Sequence, residues 1–313
     1  MKSSRIFLFI LLIMANLIWS GSFPATSIAT KSLSPAFLTM VRLFVGGMVL
    51  FPFVIHSFKV QPKIRSFRAL TRMIVLGLGG FALPVTLEST GIRVSSPALG
   101  AVSIALEPLF TVLLASLFLR QKLTMRGRVA MFIAAVGAWV VGGCPRPGVA
   151  GFLLGDILLV IAVFCYAFYN AFSSNWIQDI PATAATSIML LAGGFGCLPF
   201  WLATGHVLPH HLSLNVLVAT LFLAFFATAG AYLIWVVVLQ DQNVASASIS
   251  LYLQPIFGVI LSMLIVHTRP TMFFYVGAVM ILFALYLGRK GKNQRVEEKG
   301  IQSDDKSNWV NDM

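Results

Sequence analysis

Glu107 stands inside an apolar run, 97–119, with about ten residues of that run before it. The run is long enough to cross a bilayer, which takes about 20 apolar residues, and so this carboxyl would lie near mid-membrane. Ionisable groups at that depth are costly, and they mark functional sites by default. Ser103, Glu107 and Thr111 recur every fourth residue, with Gly100 on the same helix face. Two chemistries are open to such a carboxyl: proton exchange during a transport cycle, or a protonated hydrogen bond that fixes the packing of a neighbouring helix. Glu88, nearer the outer end of the run 70–91, can pair with Arg93 or reach interfacial water. Arg42 lies one to two turns inside the run 35–56. A side chain of that length can snorkel to the surface, or make a structural contact with a partner such as Glu88.

Further polar and aromatic residues recur at helical spacing in the other apolar runs. Trp19 has Asn16 and Ser20 about one turn away, Tyr166 has Asn170, and Tyr232 precedes Trp235. Ser250, Tyr252 and Gln254 fall together in the run 244–267. Aromatic walls with a few placed polar groups suit a small-molecule pocket; ordinary helix packing, or an interfacial aromatic belt, is the alternative. Asp156 reads as a carboxylate at a helix start, where the dipole favours it. His206, His210 and His211 share one loop and read as solvent-exposed, and Cys144, Cys165 and Cys197 read as small apolar residues. No nucleophile elbow, HExxH helix, paired intramembrane aspartates or phosphate loop occurs, so no catalytic residue, metal site or cofactor is expected and the chain reads as a non-enzyme.

The elements that must hold these residues follow from composition. Of 313 residues, 58% are hydrophobic and 10% charged, against roughly 25% charged in a soluble domain. That excludes a disordered chain and leaves too few polar side chains to cover a water-soluble surface. Ten spans are predicted, at 6–28, 35–56, 70–91, 97–119, 129–143, 152–176, 182–204, 215–240, 244–267 and 272–288. The tail 291–313 reads as disordered, with Glu297, Glu298, Asp304 and Asp305 as solvated surface. The apolar start runs on to Ile28 and is followed by nine more spans, so it reads as an uncleaved first helix rather than a signal peptide. Lys and Arg total 22 and the net charge is +12. With a cytoplasmic N-terminus, Lys31, Arg93, Arg146 and Arg269 face outward, Arg42 lies within a span, and the remaining 17 bases fall on the cytoplasmic side. Both termini are then cytoplasmic and the protein is a multi-pass protein of the cell membrane. The basic balance is a topology signal rather than a nucleic-acid footprint.

The chain also repeats itself. At an offset of 147 residues, 98–117 overlies 245–264 with eight of twenty positions identical, among them Ser103/Ser250, Leu106/Leu253, Pro108/Pro255 and Phe110/Phe257. The same offset pairs Trp19 with Tyr166. Two copies of five spans, an odd number, must enter the membrane in opposite senses. The expected fold is therefore an all-α membrane protein of two inverted five-helix repeats around a central cavity, residues 1–147 and 148–290, the architecture of alternating-access carriers. Pro108 and Pro255 each remove a backbone bond, to the carbonyls of Ile104 and Leu251. A freed carbonyl is tolerated where it faces protein or a wet cavity, which sets both kinks beside a polar interior.

At these residues the sequence resembles the drug/metabolite transporter superfamily, and within it the ten-span EamA-type transporters. The resemblance is carried by Ala15-Asn16-Leu17-Ile18-Trp19-Ser20, by Ser34-Pro35-Ala36 followed by Arg42, and by Gly91-Ile92-Arg93-Val94-Ser95-Ser96-Pro97-Ala98. Leu106-Glu107-Pro108-Leu109-Phe110 and its echo Leu253-Gln254-Pro255-Ile256-Phe257 match best. Arg120-Gln121 and His267-Thr268 stand where the family often has Gly-Glu, a departure at helix ends rather than in the cavity. The resemblance implies an inner-membrane carrier of small metabolites, commonly amino acids or related compounds, usually working outward. The alternative is a flippase for lipid or lipid-linked sugar, or a subunit of one. The expected partners are a small-molecule substrate and the lipid bilayer, with no nucleic acid. A homodimer is a further possibility, suggested by the small-residue stripe Ala130, Ala134 and Ala138.

Overall fold

The computed structural model describes residues 5–60, 62–95, 97–119, 124–141, 152–203, 212–241, 247–266, 272–273, 275–284 and 286–287. Cys144, Arg146, His206, His210, His211 and the charged tail fall outside them. The described residues are helical, with short turns between. In an apolar solvent every backbone N–H and C=O must find its partner within the segment, and the helix achieves this with local bonds alone. The runs are α1 (Arg5–Ala29), α2 (Pro35–Val60), α3 (Phe67–Val94), α4 (97–119), α5 (Met125–Val141), α6 (Phe152–Trp176), α7 (Ala182–Ala203), α8 (Leu214–Gln240), α9 (249–266) and α10 (Tyr275–Ala284). Six of them are long and apolar enough to cross a membrane: α1, α2, α3, α6, α7 and α8. Large apolar side chains such as Phe44, Phe53, Phe132, Phe195, Phe226 and Leu264 are exposed around the bundle. A surface of that kind would aggregate in water but matches lipid. The chain is a multi-pass membrane protein.

Helix starts follow local chemistry. The Ser66 hydroxyl accepts from the Ala69 amide at the head of α3, and that of Ser213 from the Val216 amide at the head of α8. Ser34 accepts from the Phe37 amide and is followed by Pro35 at the first helical position, where the missing N–H costs nothing. Asp156 departs from expectation. α6 already begins at Phe152, so Asp156 lies beyond the first turn rather than capping it.

Two kinds of irregularity interrupt the helices. α3 carries a π-helical segment at Leu78–Ala82 and α8 one at Leu223–Gly230. α4 tightens to a 3-10 turn at Ile104–Leu106 just before Pro108, and α9 begins with one at Ile249–Tyr252 just before Pro255. The prolines are the cause of the second kind. Pro108 has no N–H for the Ile104 carbonyl, and the Glu107 amide takes that carbonyl instead. In α9 the Leu253 amide is shared between the carbonyls of Ser250 and Leu251. The kinks therefore do not leave bare carbonyls; they close as tighter turns.

α2 and α7 lie against each other over most of their length. α3 and α4 pack on α6, α8 and α9 pack on α1, α7 touches α3, α2 touches α8, and α4 meets α9. Close approach depends on glycine. A Cβ on Gly80 would sit 2.7 Å from the Tyr169 Cβ, and one on Gly77 2.5 Å from the Met189 carbonyl oxygen. Gly193 and Gly194 are less tight, with nearest atoms at 2.9 and 3.0 Å, and nothing lies within 4 Å of a Cβ on Gly79. Two members of the alanine stripe of α5, Ala130 and Ala134, are buried inside the chain, Ala134 in a cluster with Tyr252, Ile256, Ile281 and Ala284.

Candidate functional site

A central cavity with about 490 Å³ of empty space, counting its open mouth, lies among α1, α2, α3, α4, α6, α8 and α9. Its lining is Trp19, Ser22, Phe23, Arg42, Glu88, Ile104, Glu107, Tyr166, Tyr169, Asn170, Tyr232, Trp235, Leu251 and Gln254. Twelve of these fourteen residues form six pairs separated by the 147-residue offset: 19/166, 22/169, 23/170, 88/235, 104/251 and 107/254. Arg42 and Tyr232 are the two outside that pairing. Their counterparts, Met189 and Val85, are buried in the core.

Glu107 begins the helical stretch after the 3-10 turn of α4, so the turn forced by Pro108 aims its carboxyl at α6. There the Asn170 amide Nδ2 donates to Glu107 Oε1 at 2.5 Å. The Asn170 Oδ1 in turn accepts from Trp235 Nε1 at 2.8 Å. An indole N–H only donates, so the Asn170 amide can satisfy both neighbours in one orientation only. Glu88 accepts a short hydrogen bond from the Tyr166 hydroxyl. Its expected partner Arg93 is exposed instead. The π-helical segment ahead of Glu88 explains the difference. The wider turn rotates the residues that follow it, carrying Glu88 inward.

Arg42 does not snorkel. It is 3% exposed, and its Nε donates to Thr228 Oγ1 at 2.9 Å within the π-helical segment of α8. Gly46, one turn further on, makes this reach possible, because a Cβ there would lie 2.9 Å from the Thr228 methyl. The same segment supplies the Ala227 carbonyl to Trp19 Nε1 at 3.0 Å. Trp19 stands 5.3 Å from Tyr232 and 5.6 Å from Trp235, centroid to centroid. Phe81, from the π-helical segment of α3, packs edge-on against both Tyr169 and Tyr232.

Several residues expected at the cavity lie elsewhere. Asn16, Ser20, Ser250 and Gln254 form a buried polar seam between α1 and α9. Asn16 Nδ2 donates to Ser250 Oγ at 3.1 Å, Gln254 Nε2 to Asn16 Oδ1 at 3.2 Å, and Ser20 Oγ to the Gln254 carbonyl at 3.2 Å. Of the four, Gln254 also reaches the cavity. Ser103 turns back to the Gly100 carbonyl of its own helix. Tyr252 points the other way, to the Met131 carbonyl of α5 at 3.2 Å. Thr111 is buried with no hydrogen-bond partner among the described residues. Sequence reasoning did not single out Ser22, Phe23, Ile104, Tyr169 or Leu251 as lining. The signals were present: Phe23 and Tyr169 lie one turn from Trp19 and Tyr166, and Ile104 and Leu251 are repeat partners.

The paired lining draws the cavity from both halves of the chain, and comparison with other proteins matches both halves as well. Over 274 residues the chain is 22% identical to an uncharacterised transporter of Archaeoglobus fulgidus, covering 86% of this chain and 94% of that protein. It is 22% identical over 297 residues to a probable amino-acid metabolite efflux pump of Escherichia coli, covering 91% and 96%. A solved crystal structure shares the fold with a TM-score of 0.72 at 17% identity, over 91% of this chain and 96% of that one. The family model of EamA-like transporters matches twice in tandem, over residues 6–143 and again over 153–288. With both halves matched, the chain belongs to the EamA-like transporter family.

Proposed function

We propose that this protein is a secondary transporter of the cytoplasmic membrane that exports a small metabolite, an amino acid or related compound, by alternating access. The observation that carries this reading is the lining of the cavity. Six residue pairs at one constant offset converge on a single space, as expected when two halves are related by a pseudo-twofold axis through it. The ten-span reading follows, with α1–α5 as one repeat and α6–α10 as its inverted copy, residues 1–147 and 148–290. It is supported by the packing: renumbering each helix by five exchanges α3/α6 for α8/α1, α4/α6 for α9/α1 and α3/α7 for α8/α2, all of which occur. The recurrence of π-helical and 3-10 segments at corresponding places in the two halves supports it too. The name of the relative from Escherichia coli favours amino-acid metabolites and the outward direction. The distribution of Lys and Arg favours cytoplasmic termini. No enzymatic step and no resident cofactor is part of this reading.

Glu107 is the candidate coupling group. A buried carboxyl bonded to an amide can take up and release a proton as the cavity changes sides, whereas Gln254 at the equivalent place cannot. Glu107→Gln should leave membrane insertion normal and abolish amino-acid flux in proteoliposomes or free it from the proton gradient. Wild-type flux with unchanged pH dependence in that variant would sink the role of Glu107. Lipid scrambling without solute flux by the wild-type protein would replace the carrier reading with a flippase.

A further inference from the structure

Symmetry does not account for Arg42 and Tyr232, the two cavity residues outside the repeat pairing. Arg42 is the cationic one. A guanidinium keeps its charge in proteins, unlike a carboxyl, which can shed its charge by taking a proton. Fixed positive charge at membrane depth is expensive unless something answers it. Among the described residues its hydrogen-bond partner is the neutral Thr228 hydroxyl, through Nε. Each carboxyl of the cavity accepts from a neutral donor, Glu88 from Tyr166 and Glu107 from Asn170, and Glu88 feels the Arg42 charge without a salt bridge to it among the described residues. The terminal nitrogens of Arg42 are thus uncommitted donors on a residue that lines the cavity. A second, independent observation lies on the same wall system. Tyr169 lines the cavity, is 2% exposed, and its hydroxyl has no hydrogen-bond partner among the described residues.

We propose that Arg42 is the anion anchor of the cavity, that its terminal nitrogens pair side by side with a carboxylate of the transported molecule, and that the free Tyr169 hydroxyl is a further donor to the same ligand. Two glutamates would suggest a site for organic cations. The hydrogen bonds point the other way, since each carboxyl accepts from a protein donor whereas the terminal nitrogens of Arg42 donate to no described group. A guanidinium fork matches a planar carboxylate in geometry as well as charge. This assignment rests on the carrier reading of the cavity and adds to it which end of the substrate is recognised, by which residue.

Binding to purified wild-type protein, followed by tryptophan fluorescence and thermal stabilisation, separates the possibilities. The probes are leucine and phenylalanine, the acids lacking their amino group, their carboxamides, and the amines lacking their carboxylate. Free acids with or without the amino group should bind, and carboxamides and amines should bind at least tenfold more weakly. Arg42→Lys keeps the charge but loses the fork, and should weaken acid binding at least tenfold. Tyr169→Phe should weaken it severalfold without moving the unliganded melting temperature by more than a few degrees. Amines or carboxamides binding as tightly as the acids, no binding by any acid, or an unchanged affinity in Arg42→Lys would overturn the proposal. If Arg42→Lys does not survive purification, the ligand panel on the wild-type protein decides alone. Flux in proteoliposomes keeps the two readings apart: amines transported in preference to acids would remove the anion anchor and leave a carrier, and absence of any solute flux would remove the carrier.

Discussion

At the scale of single residues, the Asn170 amide holds the centre together. It donates to Glu107 and accepts from Trp235, and each of these groups is buried. Asn170→Leu would strip both neighbours of a partner, and leaving one buried polar group unsatisfied costs about 1–3 kcal/mol. The expected outcome is a lower unfolding midpoint in detergent together with loss of flux. Trp235→Phe removes only the indole donor and should cost less. The double variant should be less damaging than the sum of the two singles, because both act on one network; additive effects in that cycle would show that the two bonds are independent. Glu107 was legible in the sequence as a costly carboxyl within a span, and Glu88 as a carboxyl nearer the outer end of one. Their partners were not, because a hydrogen bond to Tyr166 or Asn170 joins residues 78 or 63 positions apart.

At the scale of elements, proline and glycine decide where side chains point. Pro108 converts the turn before it to 3-10 geometry and sets the direction of Glu107. Pro108→Ala allows an ordinary α-helical bond to Ile104 to form in its place. It should straighten α4 and reduce transport while the protein still inserts and purifies as a monodisperse species. Flux at wild-type levels would mean that the tightened turn does not position Glu107. In α3, Gly80→Ala would drive a methyl into Tyr169, and overpacking of this kind costs about 1–3 kcal/mol. Gly79→Ala has open space and is the matched control. Thermal melts of the pair should separate them, with only Gly80→Ala destabilised.

At the scale of the whole molecule, the two halves share a backbone plan but not a chemistry. Where the first half presents Glu88 and Glu107, the second presents Trp235 and Gln254, and Arg42 has Met189 as its counterpart. The lining of the cavity is therefore asymmetric although most of it comes in repeat pairs. Membrane orientation can be tested directly. Reporter enzymes active only in the cytoplasm should work when fused after residue 290 and fail when inserted near residue 148. The reverse result would contradict the charge-based topology.

Composition and periodicity alone determined that this is a multi-pass helical membrane protein, that it is duplicated, and that Glu107 stands within an apolar run. They can do so because the bilayer imposes one backbone solution on any long apolar run, and because a copied helix keeps its proline and flanking residues. Only the tertiary structure decided which faces meet. It turned Ser103 and Tyr252 away from the cavity, set Asn16, Ser20 and Ser250 into a seam between α1 and α9, put Ala130 and Ala134 inside the bundle, and drew Arg42 inward to Thr228. The physical reason is that a helical period defines a face but not its neighbour. The rotation of each helix is set by packing against residues far away in sequence, and a π-helical or 3-10 segment shifts that rotation midway along the helix.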